Sequence, residues 1–229
     1  PVYPCLAWGF CEQWSFLDLA AGPLRTFDEW IEAMRAEKTY FADGINSWDG
    51  TVAAWRGAAT NLFHAGADGI YTFNGFFAGP EIWDEIGDPQ TMAGNDKIFG
   101  INRFGCESGI NRPGARSQPT LAPGDTIEAY FQVGEDPKIG SISELLLRIY
   151  LWDQDEKDEL KVSLNGSEAS GLQAEGTADE STGGGWLQSR LAPSQVQLGK
   201  NDLELALQRR EAAATTPLSL GAVQLQVRY

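Results

Sequence analysis

The stretch AGADGIYTFNGF, residues 65–76, decides the fold of the first part of the chain. It is typical of a helix end, a tight turn and a short apolar strand that finishes in Asn74. Gly66 stands where the left-handed cap of a preceding helix belongs. The upstream apolar residues that share one helical face are Val52, Trp55, Ala59, Leu62 and Phe63. The sequence therefore predicts a helix over about 51–65 and a buried strand over 69–73.

A second apolar strand is predicted near the start of the sequence. VYPCLAWGF, residues 2–10, is apolar almost throughout, as expected for a strand that is covered on both faces. Thr26 and Glu29 have capping-box spacing, which predicts a helix over 26–36. Strands joined by helices pair in parallel, and apolar strands of this kind do not stand alone. We therefore expect them to belong to a larger sheet or barrel, completed by further chain or by another molecule.

The second half of the sequence has a different pattern. Residues 77–118 are rich in Gly, Pro, Asn and Asp and predict an irregular connection, with one short helix at PEIWDEI. From Thr120 onward, short alternating strands are separated by turn residues, and Asn165-Gly166 is a hairpin signal. This pattern predicts an antiparallel β-sandwich. The polar, Gly-rich stretch 173–186 is expected to be a mobile loop.

Composition limits the function classes. The formal net charge is −15, so a nucleic-acid partner is not expected, because few basic residues are available to neutralise phosphates. No apolar run approaches the roughly 20 residues of a membrane-spanning helix, so no membrane partner is expected. The start of the sequence has no signal-peptide pattern. Cys5, Cys11 and Cys106 indicate neither a disulfide framework nor a zinc site.

Two motifs carry a family resemblance. WDGTVAAWRGAATNLFHAGADGIYTFNGF, residues 48–76, and EIWDEIGDPQTMAGNDKIF, residues 81–99, resemble the end of a glycoside-hydrolase-like (β/α)8-barrel family from bacterial polysaccharide-degrading repertoires. The resemblance implies that the two apolar strands are the penultimate and last strands of a barrel. It also implies a secreted or periplasmic location.

A second resemblance covers the sandwich. The motifs VSLNG, GWLQSRL, LGKNDLELAL and VQLQVRY resemble galactose-binding-like jelly-roll domains. The expected fold is therefore α/β plus all-β, with a partial (β/α)8-barrel segment followed by an antiparallel jelly-roll-like β-sandwich. The expected division is 1–76 for the barrel part, 77–119 for the connection and 120–229 for the sandwich.

Glu12 and Asp43 are the candidate catalytic carboxylates. Glycoside hydrolysis needs two carboxyl groups, about 5–5.5 Å apart for retention and about 6.5–9.5 Å apart for inversion. Glu12 follows the end of the first apolar strand, and active sites of barrels lie at the carboxyl ends of their strands. Asp43 ranks second, whereas Asp49 is assigned to helix capping. The alternative for Glu12 is a solvated loop glutamate.

Substrate-binding candidates are aromatic residues and one amide. Flat apolar rings stack on the C–H faces of sugars, which favours tryptophans on loops and strand ends. The candidates are Trp8, Trp14, Trp48, Asn74 and Trp83. The alternatives are core packing for each tryptophan and a turn role for Asn74. Trp30 and Trp55 lie on predicted helix faces and are expected in the core.

No cofactor is expected. His64 is the single histidine, and no nucleophile accompanies it at a recognisable elbow, so a structural role is predicted. DQDEKDE, residues 153–159, resembles a calcium loop, but Asp158 and Leu164 stand where that pattern needs Gly and Glu. Either a solvated charge run or a structural Ca²⁺ in the sandwich fits this stretch.

The function expected from these features is carbohydrate-active, related to glycoside hydrolases, acting on or binding an oligo- or polysaccharide. The alternative is a non-catalytic carbohydrate-binding protein that acts through its sandwich. A structural or assembly role, with the apolar strand edges paired to a second copy, is a third hypothesis.

Overall fold

A computed structural model gives the conformation of most of the chain. The residues it describes are 1–3, 5–7, 52–73, 80–102, 120–155, 157–179, 184–210 and 216–229. Two α-helices lie in these ranges, α1 (Val52–His64) and α2 (Pro80–Glu85), and a short 3-10 helix spans Pro193–Gln195. None of the helices in these ranges is long and apolar enough to cross a bilayer.

Twelve strands lie in the same ranges and form three sheets. Their bounds are β1 (Cys5–Ala7), β2 (Tyr71–Phe73), β3 (Lys97–Asn102), β4 (Thr120–Leu121), β5 (Thr126–Val133), β6 (Glu144–Trp152), β7 (Glu159–Leu164), β8 (Ser167–Glu168), β9 (Gln173–Asp179), β10 (Gly184–Arg190), β11 (Gly199–Arg209) and β12 (Leu218–Arg228). β1 and β2 form a parallel pair. The large sheet has the order β3-β12-β6-β10-β9, with β4 also on β12, and the small sheet has the order β5-β11-β7-β8. Both are antiparallel and together form the predicted β-sandwich.

Strict alternation along the strands builds the core between the two sheets. On β6, Leu147, Ile149 and Leu151 are fully buried, and they pack in one cluster with Leu203 and Leu205 of β11. Successive side chains of a strand point to opposite faces, so these residues fill the interior while their neighbours lie on the outer faces. The hairpin predicted at Asn165-Gly166 is confirmed, since both residues have positive φ, 52° and 75°.

Helix α1 packs on the outer face of the large sheet. Ala54 of α1 lies in a buried cluster with Tyr150, Trp186 and Ala222. At the far end of the helix, Asn61 Nδ2 donates a hydrogen bond of 3.2 Å to a carbonyl of β5, that of Gln132. The helix therefore joins both sheets of the sandwich.

Two stretches predicted to be irregular are strands. β3 lies inside 77–119 and pairs with β12 from Ala222 to Val227, so this part of the predicted connection belongs to the large sheet. β9 lies inside the predicted loop 173–186 and pairs with β10. The helix predicted at PEIWDEI is confirmed as α2. The division of the chain into domains stays a prediction.

The expected barrel segment is not evident in the described ranges. β1 and β2 are three residues long, and in those ranges each pairs only with the other, whereas a barrel strand needs neighbours on both edges. The predicted parallel pairing of the two strands is confirmed, and α1 lies between them in the chain. The helix predicted over 26–36 lies outside the described residues. The galactose-binding-like relation of the sandwich also stays a prediction.

Candidate functional site

The carboxyl ends of β1 and β2 lie together. The two strands pair in register, and the last pair is Ala7 with Phe73. In a parallel pair both carboxyl ends point to one edge. The chain continues from this edge with Trp8 and Asn74, two of the predicted substrate-binding residues, which themselves lie outside the described residues.

The turn before β2 lies at the amino end of the strand pair, opposite the carboxyl edge, and is bonded to the start of the chain. Gly66 has a φ of +96° and ends α1 in the left-handed conformation that the sequence predicts. Just after it, Asp68 is bonded twice to Val2, because its amide donates to the Val2 carbonyl at 2.9 Å and its carboxylate accepts from the Val2 amide at 2.6 Å. These bonds hold residues 1–3 beside the turn that leads into β2.

Most of the predicted site residues lie outside the described ranges. These are Glu12 and Asp43 among the carboxylates, together with Trp8, Trp14, Trp48 and Asn74. Their roles stay predictions, and so does the capping role of Asp49. Trp83 is the predicted site residue that the structure describes.

Trp83 lies on α2 with 45% of its surface exposed. Its neighbours Ile82 and Ile86 are buried in a cluster that includes Trp55 and Met92, so Trp55 occupies the predicted core position. The helix therefore anchors itself through its isoleucines and leaves the indole of Trp83 accessible. An aromatic residue on a fixed element with almost half of its surface exposed offers a flat apolar surface of the kind on which sugars stack.

An ion pair fixes α2 against α1. Arg56 donates to both carboxylate oxygens of Glu85, with Nη2 to Oε1 at 2.9 Å. The hydrogen bonds from Arg56 lower the pKa of Glu85 below its ordinary value, and the positive charges of Arg56 and Lys97 add to the effect. Arg56 Nη1 also donates to the carbonyl of Asp96 at 3.2 Å, just before β3. The guanidinium thus joins α1, α2 and the segment before β3.

An arginine–tryptophan cluster on the outer face of the large sheet was not predicted. Arg148 of β6 is buried, donates to Glu175 of β9 through Nε at 2.8 Å and donates to Gln224 of β12 through Nη1 at 3.0 Å. Its guanidinium carbon lies 4.3 Å from the ring centroid of Trp186. The charge is compensated inside the sheet, so the cluster joins four strands. Its sequence signal is a single Arg in the apolar run ELLLRIYLW.

A second buried charge lies at the start of β3. The Lys97 ammonium is buried, 2.9 Å from Glu135 Oε2, 3.1 Å from the carbonyl of Asn95 and 4.8 Å from the ring centroid of Tyr229. Burial raises the pKa of Tyr229, and the negative charge of Glu135 raises it further. The lysine is paired, and it ties β3 to the turn after β5 and to the end of β12.

The loop that resembles a calcium site pairs with an arginine just after the end of β11. The Asp158 side chain is fully buried, with Oδ2 3.6 Å from Nη1 of Arg210 and 2.9 Å from the amide of Asp155. Arg210 also donates to the carbonyl of Asp153. In the described ranges no group of three or more His, Cys, Asp or Glu side chains has the geometry to hold a metal ion. The structural Ca²⁺ stays a prediction, as does the structural role of His64, which is exposed at the end of α1.

Comparisons with known proteins found a structural similarity that is low. No protein-family model matches it. No curated protein matches it. Among solved structures, it is similar to a beta-porphyranase of glycoside hydrolase family 86 from the human gut bacterium Bacteroides plebeius, with 14% sequence identity and a TM-score of 0.39. The match covers 58% of this chain and 20% of that chain, so this chain spans a fifth of that enzyme's length. This structural neighbour is a glycoside hydrolase, and the likeness is too low to assign the chain to its family.

Proposed function

We propose that the chain is part of a carbohydrate-active protein related to glycoside hydrolases, which hydrolyses an oligo- or polysaccharide. The observation that carries this proposal is the parallel pair β1–β2, whose last residue pair is Ala7 with Phe73. It is the arrangement expected for the motif GADGIYTFN, on which the family resemblance rests. In open and closed α/β sheets alike, ligands bind at the carboxyl ends of parallel strands.

The residues next in the chain supply suitable chemistry. Trp8 and Asn74 are the residues that follow β1 and β2 in the sequence, and they offer a ring for stacking and an amide for sugar hydroxyls. Glu12 follows within a few residues, and Asp43 is the second carboxylate that we assign to the reaction. One carboxyl group would protonate the leaving oxygen, and the other would act as nucleophile or activate water.

The test is hydrolysis of a panel of neutral and anionic polysaccharides by the chain, measured as released reducing ends. Glu12→Gln and Asp43→Asn are each expected to lower the rate by a factor on the order of 10²–10⁴. Glu168→Gln is the matched control, because Glu168 is an exposed carboxylate on β8 of the sandwich. Turnover in Glu12→Gln equal to that of the control would remove Glu12 from the mechanism.

A second candidate function is glycan binding without catalysis through the sandwich. The observation that favours it is the open outer face of the small sheet, where Glu128, Tyr130, Asp202 and Glu204 are exposed. Tyr130 is half exposed in the middle of β5. Glycan binding by the full chain with no release of reducing ends would select this candidate over hydrolysis.

A further inference from the structure

The two outer faces of the sandwich differ in accessibility. On the large sheet, Tyr150 and Ala222 are buried beneath α1, in one cluster with Ala54. On the small sheet, the outward residues of β5 and β11 are exposed to solvent. Among the described residues, the small sheet therefore presents the face to which a ligand has access.

An aromatic ring lies on β5, an edge strand of that sheet, next to several carboxylates. Tyr130 is 46% exposed and lies directly across from Asp202 in the ladder. In the next row, Glu128 lies across from Glu204. We call these four residues, with Lys200, the tyrosine face.

The polar groups of the tyrosine face lie beside the ring, on β5 itself and on the neighbouring strand β11. The Lys200 ammonium lies 5.1 Å from the ring centroid of Tyr130 and 2.5 Å from Oδ1 of Asp202. Ser163 of β7 donates to Glu204 Oε2 at 3.1 Å. Glu128 and Glu204 are like charges in directly opposite positions, a cross-strand pair that costs stability. A ligand that donates hydrogen bonds to these carboxylates would offset that cost.

We propose that the tyrosine face binds a neutral glycan chain. The ring of Tyr130 provides a flat apolar surface for the C–H face of a sugar ring, and the carboxylates of Glu128, Asp202 and Glu204 accept hydrogen bonds from its hydroxyl groups. The site is separate from the carboxyl edge of β1 and β2, and it rests on the proposed function only for the class of its ligand.

Charge selects a neutral glycan over an anionic one. The tyrosine face has three carboxylates and one ammonium, and the whole chain has a formal net charge of −15. The excess of carboxylates on this face and the net negative charge of the chain both repel a sulfated or uronate polymer. A protein partner fits less well, because charged residues are depleted at the centres of protein interfaces, whereas four charged side chains accompany the single aromatic ring of this face.

The test is binding of the full chain to neutral oligosaccharides, namely cellohexaose, xylohexaose, mannohexaose and neutral agarose oligosaccharides, by titration calorimetry. Polygalacturonate is the anionic comparison. Tyr130→Ala is expected to lower the affinity for the neutral ligand about tenfold or more, whereas Tyr130→Phe, which keeps the ring, stays close to wild type. Gln208→Ala is the matched control, since Gln208 is exposed on β11 away from the ring. Equal unfolding curves for the variants show that the fold is intact.

Four results would overturn the proposal. They are equal affinity in Tyr130→Ala and wild type, binding of polygalacturonate alone, no binding to any of the ligands, and self-association of the chain that Tyr130→Ala abolishes. Hydrolysis measured on the same preparations separates the two sites. If the chain hydrolyses glycans and Tyr130→Ala binds them as well as wild type, the tyrosine face is not a glycan site and the proposed function stands. If binding depends on Tyr130 and no hydrolysis occurs, the tyrosine face stands and the proposed hydrolysis does not.

Discussion

The carbonyl oxygen of Ile98 lies 2.0 Å from the point that a Cβ atom on Gly57 would occupy. Gly57 is in the middle of α1, and Ile98 is on β3 at the edge of the large sheet. The backbones of helix and strand are thus in direct contact, and α1 is a fixed layer of the sandwich.

Gly57→Ala is expected to lower the free energy of unfolding by roughly 1–3 kcal/mol, because the added methyl group pushes helix and strand apart. In an exposed helix the same change would raise the free energy of unfolding by about 1 kcal/mol. A decrease instead would therefore indicate the close contact between α1 and β3. Urea unfolding of the full chain measures it. Gly87→Ala is the control, since a Cβ there meets nothing within 4 Å. A Gly57→Ala variant as stable as wild type would show that α1 does not rest on β3.

Phe99→Ala is expected to cost about 3–5 kcal/mol, because Phe99 of β3 is buried in the cluster between the sheets. Ile139→Ala, at a side chain that is 74% exposed, should stay within about 0.5 kcal/mol of wild type. Chemical denaturation of both variants gives the comparison. Equal stability of the two variants would mean that residues 97–102 are not part of the sandwich core.

Asn165→Asp is expected to destabilise the chain by about 1–3 kcal/mol. The amide nitrogen of Asn165 donates at 2.9 Å to the carbonyl of Gln195 and at 2.9 Å to Oδ1 of Asn201, and a carboxylate would place a charged acceptor against both oxygens. Asn201 cannot turn its amide to compensate, because its own nitrogen donates to the carbonyls of Gln197 and Gly199.

Gln208→Glu adds the same charge at an exposed position and is the control for net charge. Thermal unfolding at neutral pH measures both variants. If they lose the same stability, the effect of Asn165→Asp is one of charge alone, and the amide network is not the cause.

Glu85 gives the chain a defined response to acid. Arg56 depresses the pKa of Glu85 in the folded chain below its value in the unfolded chain, which is about 4.3. The ion pair therefore contributes its full stability above the unfolded pKa. This contribution is lost as the pH falls through the lower pKa of the folded chain. Glu85→Gln should therefore be less stable than wild type at pH 7, and the difference should shrink below about pH 4. Urea unfolding over a pH series measures this. Asp84→Asn, exposed on the same helix, controls for the charge, and an equal pH profile for both variants would contradict the role of Arg56.

Helix α1 and the alternating strands after Thr120 were predictable, because hydrophobic spacing and turn residues agree there; these strands are β5, β6, β7, β10, β11 and β12. β3 was not, because its sequence KIFGIN contains a glycine that is typical of a turn. The structure gives another reason for this residue. A Cβ on Gly100 would approach the carbonyl oxygen of Val223 to 2.1 Å, so glycine lets β3 lie close against β12.

The other missed strand, β9, has the sequence QAEGTAD, which contains no large apolar residue, and it is an edge strand of the large sheet. The arginine–tryptophan cluster was missed for a related reason. Arg148 contacts Glu175, Trp186 and Gln224 because the order of the strands in the sheet brings their side chains together. The local sequence pattern does not predict that order. Trp83 was proposed as a substrate-binding residue with core packing as the alternative, and the structure shows it exposed, with Ile82 and Ile86 in the buried cluster instead.

A crystal structure of the chain with a bound neutral oligosaccharide tests the central claim most directly, because it locates the sugar relative to Ala7 and Phe73, the last residues of the parallel pair. We expect a sugar ring at the edge where these two residues end, with Glu12 within hydrogen-bonding distance of a glycosidic oxygen or of the anomeric carbon's attacking water. Sugar found only on the sandwich, with that edge occupied by other parts of the chain, would contradict a hydrolase site there.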